Sequence, residues 1–280
     1  MRVVGLFAGI GGIEWGLHGA KHSTVLLCEV NPGARAVLQT RFPEVPLVGD
    51  IRDIPSLPAS DLVAAGFPCQ DLSQAGKTAG IAGQQSGLVG EVFRLISNGR
   101  ATPRWLLLEN VPFMLELDGG RAMQYLVDRL EELRLSWAYR VIDARAFGLP
   151  QRRKRVLLLA SRTEDPREVL FVGDEGEPDP LDAPGVACGF YWTEGWRGLG
   201  WAVDAVPTLK GGSTIGIPSP PAIWVRDSGE IVTPDVRDAE RLQGFPSDWT
   251  LPAVEESSTK RNGPRWKLVG NAVSVPVARW

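Results

Sequence analysis

A cysteine, a glutamate and two arginines stand in unusual surroundings in this chain. Cys69 falls in Gly66-Phe67-Pro68-Cys69-Gln70, just past an apolar run of buried-strand type. A lone cysteine is normally a small buried apolar residue. Here Pro68 fixes the backbone before it, and Gln70, Ser73, Gln74 and the glycines Gly76, Gly80, Gly83 and Gly87 follow. That composition suits a nucleophile on a loop that closes over its substrate. Glu109 opens Glu109-Asn110-Val111 after the next such run, and a carboxyl near a thiol in a partly enclosed site can gain a raised pKa and act as an acid. In Gln151-Arg152-Arg153-Lys154-Arg155, strand alternation would put Arg153 and Arg155 on one face. Arginine in such a place can bind phosphate, hold a base oxygen or favour a thiolate.

A second constellation points to a cofactor. Phe7-Ala8-Gly9-Ile10-Gly11-Gly12 joins a first strand to a helix, where nucleotide-like ligands bind in open α/β sheets. Glu29, at the end of the second strand, could hold a ribose diol. Asp50, after Val48-Gly49, could take the amino group of an adenine. A glycine-rich turn alone suits a dinucleotide equally well. The spacing is not GxGxxG, however, and carboxylates after the second and third strands fit S-adenosylmethionine well.

These groups need a scaffold, and the apolar pattern predicts one. Arg2–Leu6, Thr24–Glu29, Asp61–Ala65, Trp105–Leu108, Trp137–Ile142 and Arg155–Leu159 read as strands. Helical spacing covers Gly12–Ala20, Pro32–Phe42, Val89–Ile96 and Arg121–Arg134. The alternation implies an α/β fold with a doubly wound, mostly parallel, Rossmann-like sheet. Its strand order would bring Cys69, the glycine-rich turn, Glu109 and Arg153 to one sheet edge. Residues 1–161 form this catalytic and cofactor-binding unit. Residues 162–232, rich in Gly and Pro and carrying Trp192, Trp196, Trp201 and Trp224, read as a small irregular second domain. Residues 233–280 return to the first, with a helix from Pro234 and a final one from Asn271. That last pattern is unfinished at Trp280, so the natural protein is expected to continue past it.

Composition sets outer bounds. No apolar run approaches the roughly 20 residues that cross a membrane, and the start of the chain has the look of a core strand rather than a signal peptide, so a cytoplasmic location is the default. Cys28, Cys69 and Cys188 share no metal-type spacing, and three cysteines make no disulfide framework. The net charge of −3 does not announce a nucleic-acid binder. Local clusters do exist: Arg145, Arg152, Arg153, Lys154, Arg155, Arg162 and Arg167, then Lys260, Arg261, Arg265 and Lys267.

Six segments in order, FAGIGG (7–12), GFPCQ (66–70), ENV (109–111), QRRKR (151–155), RLQGFP (241–246) and GNAV (270–273), resemble the motif series of the DNA cytosine-5 methyltransferase family. The resemblance implies that Cys69 adds to carbon 6 of a flipped-out cytosine, that Glu109 engages ring nitrogen 3, that Arg153 holds the base carbonyl and that Arg155 supports the site from behind. It implies a cofactor pocket for S-adenosylmethionine built from Phe7, Ile10, Gly12, Glu29, Val30, Asp50, Ile51, Pro68 and Asn271, with S-adenosylhomocysteine as product and no metal. Val30 departs from the family pattern, in which an aromatic residue often stacks on the adenine. The stretch 162–232 falls where the family places its target recognition domain. RLQGFP reads mainly as structural, and the tryptophans of the second domain as packing residues.

The implied partner is double-stranded DNA, met by a monomer with no membrane, with a cognate restriction endonuclease of the same system as a functional counterpart. Three alternatives stay open. A tRNA cytosine methyltransferase on the same scaffold characteristically carries Cys-Phe-Thr, which is absent here. An inactive DNA-binding relative should have lost Cys69, Glu109 or the arginines. A nicotinamide-dependent oxidoreductase would rest on the glycine-rich turn alone.

Overall fold

The computed structural model describes residues 1–68, 87–98, 103–173, 186–191, 200–211, 220–255 and 263–280. Its core is a seven-stranded sheet of order β3-β2-β1-β4-β5-β8-β6. β1 (Arg2–Leu6), β2 (Ser23–Cys28), β3 (Leu47–Val48), β4 (Leu62–Ala65) and β5 (Trp105–Asn110) pair in parallel. β6 (Ser136–Asp143) and β8 (Lys154–Ser161) pair antiparallel to each other, and β8 antiparallel to β5. The expected doubly wound sheet is present, and β4, buried at every position, shows why its sequence is a continuous apolar run.

Alternate residues of each strand feed opposite layers. Val4, Leu6, Val63, Ala65, Leu106, Leu108, Val156 and Leu158 pack under α3 (Leu88–Asn98) and α4 (Arg121–Glu132). Val3, Leu62, Ala64, Trp105, Leu157 and Leu159 face α1 (Gly12–Gly19), α5 (Pro166–Leu170) and α9 (Val275–Arg279). α2 (Pro32–Arg41) starts where the sequence signals it: Asn31 Oδ1 accepts from Ala34 N–H at 3.0 Å, and Pro32 follows.

Three expectations change. Leu170 belongs to the core of the large sheet, so the helix after residue 161 still packs on the first layer. Beyond it, the stretch expected to be irregular carries a four-stranded antiparallel sheet of order β10-β9-β12-β13 (Ala202–Val203, Ala187–Phe190, Ala222–Val225, Ile231–Val232). Its strands are two to four residues long, too short for a period of two to show. β11 (Val206–Pro207) pairs instead with β7 (Gln151–Arg152). After α6 (Val236–Leu242) and α7 (Pro252–Glu255), Asn271 ends α8 (Gly263–Asn271) instead of starting the last helix, so that α9 begins after Ser274.

The returning segment is riveted by two buried glutamines. Gln151 Nε2 donates to Leu242 O at 2.9 Å, and its Oε1 accepts from Leu209 N–H at 3.1 Å. Gln243 Nε2 donates to Val269 O at 3.0 Å while Ser274 Oγ donates to its Oε1 at 2.6 Å. Phe245 is buried beside Trp249, so the 241–246 motif is mainly packing. Among the described residues no helix is long and apolar enough to cross a membrane.

Candidate active site

β8 runs antiparallel, so its first residues lie at the carboxyl ends of β4 and β5. Asn110 stands opposite Val156 in the register, which brings Arg155 beside Glu109. A cavity of about 730 Å³ opens on this edge, within the usual size of a small-molecule site.

One wall comes from the first three strands. The glycine-rich turn is hooked to the end of β2: Ala8 N–H donates to Cys28 O at 3.0 Å, and Gly9 N–H to Glu29 Oε2 at 2.8 Å. Glu29 Oε1 accepts from Asn31 N–H at 2.7 Å. Phe7 holds a φ of 55°, a left-handed backbone that costs a non-glycine residue on the order of 1 kcal/mol. Gly9 also has positive φ, and a Cβ there would meet no atom, so the turn is open on that side. Asp50 caps a short turn and is paired with Arg52 (Nη2–Oδ2 2.5 Å), which holds its carboxyl down at about 2. Cys28 lies in this wall, but burial, with Glu29, Asp50 and Asp53 nearby, pushes its thiol up to about 12.

The other wall carries the acid–base groups. Arg155 Nε stands 3.0 Å from Glu109 Oε1. Burial raises the Glu109 carboxyl above its ordinary range, although Arg155 and Arg153 pull it down. Gly66 passes so close that a Cβ would stand 3.2 Å from Glu109 Oε2. Asn110 Nδ2 donates to Phe67 O at 3.1 Å and its Oδ1 accepts from Val111 N–H, which ties β5 to the segment leading to Pro68. Lys210, Gly211, Lys267 and Gly270 complete the rim.

Of the residues expected at the site, Phe7, Glu29, Val30, Asp50, Ile51, Pro68, Asn271, Glu109 and Arg155 line this one cavity. Val30 is 69% exposed there. Cys69 lies outside the described residues, as do Trp192, Trp196, Lys260 and Arg261. Two expected cofactor residues do not line the cavity. Ile10 is buried and its carbonyl accepts from Trp249 Nε1, while Gly12 packs on the backbone of Val273. The arginine pair also divides differently from expectation. Arg153, expected in contact with substrate, is 1% exposed and donates to the carbonyls of Gly270 and Ala272, whereas Arg155, expected behind it, faces the cavity. The break between β7 (Gln151–Arg152) and β8 at Arg153 is the reason, since simple alternation does not survive it.

Sequence reasoning missed Asn110 and Gln151 as organisers, although both stand inside quoted motifs. Their partners are backbone carbonyls and amides far along the chain, which residue type alone does not reveal. Trp201 stacks on Phe190 (5.7 Å) and neighbours Trp224 (6.3 Å), yet is 42% exposed. Cys28 and Cys188 are buried free thiols.

A family model for C-5 cytosine-specific DNA methylase matches residues 1–181. The chain is 56% identical over 287 aligned positions to Type II methyltransferase M2.BsuMI of Bacillus subtilis (strain 168), covering 100% of this chain and 74% of that protein. It is 29% identical to Type II methyltransferase M.MspI of Moraxella sp, over 99% of this chain and 68% of that one. Among solved structures, the S. pombe Dnmt2 methyltransferase superposes with a TM-score of 0.70 at 18% identity, covering 100% and 96% of the two chains, a likeness of fold.

Proposed function

Because the chain belongs to the C-5 cytosine-specific DNA methylase family, and so methylates DNA cytosine with S-adenosylmethionine as donor, we propose that its cavity takes a flipped-out cytosine beside the cofactor and that Cys69 attacks it. The observation that carries this reading is the Glu109–Arg155 pair, set across one cavity from Glu29 and Asp50. The cofactor wall suits its ligand: the turn at Gly9 is open, the Glu29 carboxylate is fixed by two backbone N–H donors, and Ile51 and the backbone around Asn271 supply apolar and polar contacts. S-adenosylmethionine bound there supplies an electrophilic methyl group.

Cytosine carbon 5 is too weak a nucleophile to be methylated directly. The Cys69 thiolate adds to carbon 6, forming a C–S bond and raising electron density at carbon 5. Glu109, with its carboxyl kept protonatable by burial, meets the charge that develops at ring nitrogen 3. Arg155 holds Glu109 in orientation and offers its remaining donors to the base carbonyl. After methylation, loss of the carbon 5 proton restores the ring and expels the thiolate. The base must leave the duplex for this, at a cost of a few kcal/mol that protein contacts offset. The stretch that follows α5 and ends at residue 232, which contains the small antiparallel sheet, forms the target recognition unit that reads a short double-stranded sequence. The enzyme acts as a cytoplasmic monomer, uses no metal, releases S-adenosylhomocysteine and recognises the same DNA sequence as a cognate restriction endonuclease.

Bisulfite sequencing of DNA from a host expressing the chain tests this. Protected cytosines within one recurring short sequence are expected. Uniform conversion of every cytosine would overturn the reading.

A further inference from the structure

We infer that Arg153 is a positioning residue that clamps Asn271 and the Lys210–Gly211 rim into the cofactor site, a role that rests on the methyltransferase reading above. Its guanidinium is enclosed and absent from the cavity lining. Nη2 donates to Gly270 O at 3.1 Å and to Ala272 O at 2.6 Å, bracketing Asn271, which lines the cavity. Nη1 reaches Leu209 O at 3.5 Å, immediately before the rim residues Lys210 and Gly211. The backbone of Arg153 is itself fixed: its N–H donates to Asp143 Oδ1 at 3.2 Å and its carbonyl accepts from Ala144 N–H at 3.0 Å.

Three segments far apart in sequence thus meet at one planar fork: the start of β8, the segment after β10 that holds Leu209, and the end of α8. A guanidinium suits such a junction, because its donors are rigidly splayed and its charge is permanent. Only one residue separates this clamp from Arg155, which pairs with Glu109. The same strand start therefore sets both the acid–base wall and the far side of the cofactor wall. The junction is tight from the opposite side as well. A Cβ on Gly270 would stand 2.7 Å from Gly211 N and from the carbonyl carbon of Lys210.

The test is calorimetric titration of S-adenosylmethionine into the full chain and into Arg153→Met, Arg153→Lys, Gly270→Ala and Arg155→Met, with single-turnover methyl transfer to DNA at saturating cofactor. Arg153→Met should weaken cofactor binding roughly ten-fold, Arg153→Lys should recover part of that, and Gly270→Ala, which opens the same junction by a different route, should weaken it comparably. Arg155→Met should instead keep cofactor affinity within about two-fold and lose methyl-transfer rate. A folded Arg153→Met chain with wild-type cofactor affinity and a reduced transfer rate would overturn the clamp in favour of direct contact with the base. If Arg153→Met does not fold, Gly270→Ala decides: unchanged cofactor affinity in that variant overturns the clamp. A wild-type chain that binds no S-adenosylmethionine would overturn the function itself, and this role with it.

Discussion

Arg155 Nε lies 3.0 Å from Glu109 Oε1, with both side chains about one-tenth exposed. Burial raises the carboxyl's pKa and the two arginines restrain the rise, so Glu109 is held where it can carry a proton without losing its partner. Single-turnover methylation should therefore fall by about 10²–10⁴ in Glu109→Gln and by about 10²–10³ in Arg155→Met, the range for removing one acid–base or charge-stabilising group. The double variant should lose less than the product of the two, because the pair acts as a unit. Multiplicative losses would show that the two groups act separately.

Glu14 predicts a pH dependence of stability. It is fully enclosed in α1, its Oε2 has no partner, and burial pushes its carboxyl up to about 7, with Glu29 adding to the rise. A raised acid binds more protons folded than unfolded. Its contribution is therefore complete below about pH 4.5 and is lost as pH climbs through about 7, by roughly 3 kcal/mol. Urea unfolding at pH 5 and pH 8 should show Glu14→Gln gaining on the wild type as pH rises. A constant difference between the two proteins would contradict the assignment.

A buried ion pair braces the returning segment. Arg265 Nη2 donates to Glu240 Oε1 and to Asp248 Oδ1, each at 3.0 Å, and its Nε to Thr250 Oγ1 at 2.9 Å. Glu240 has no solvent exposure. Arg265→Met strands that carboxylate and should cost about 3–5 kcal/mol, whereas replacing both partners with apolar residues should cost much less. Equal losses in the single and double variants, measured by denaturant unfolding, would argue against this.

How much of this was legible in the sequence follows from the range of the interactions. Four of the five parallel strands were readable because each is built around an apolar run, whereas β3, only two residues long, was not; Asn31-Pro32 marked a helix start. Phe7, Glu29, Asp50 and Glu109 were readable because strand ends in such sheets converge on one edge. The division of labour between Arg153 and Arg155 was not readable. It depends on a break between two strands and on carbonyls at Gly270 and Ala272, more than a hundred residues away. Ile10 and Gly12 look like ligand residues by their motif, yet Trp249 and Val273, brought from the far end of the chain, enclose them. The small antiparallel sheet escaped detection because its strands are two to four residues long.

The central claim, that Cys69 is the nucleophile, is tested most directly by covalent trapping. Long DNA in which 5-fluorocytosine replaces cytosine throughout offers the enzyme every short target sequence at once, and fluorine at carbon 5 cannot leave as the proton does. Incubated with S-adenosylmethionine and the chain, it should give a stable protein–DNA adduct, mapped by peptide mass spectrometry to Cys69 and abolished in Cys69→Ala. An adduct on Cys28, whose thiol stays protonated at neutral pH, or on Cys188, or one that persists in Cys69→Ala, would contradict the account.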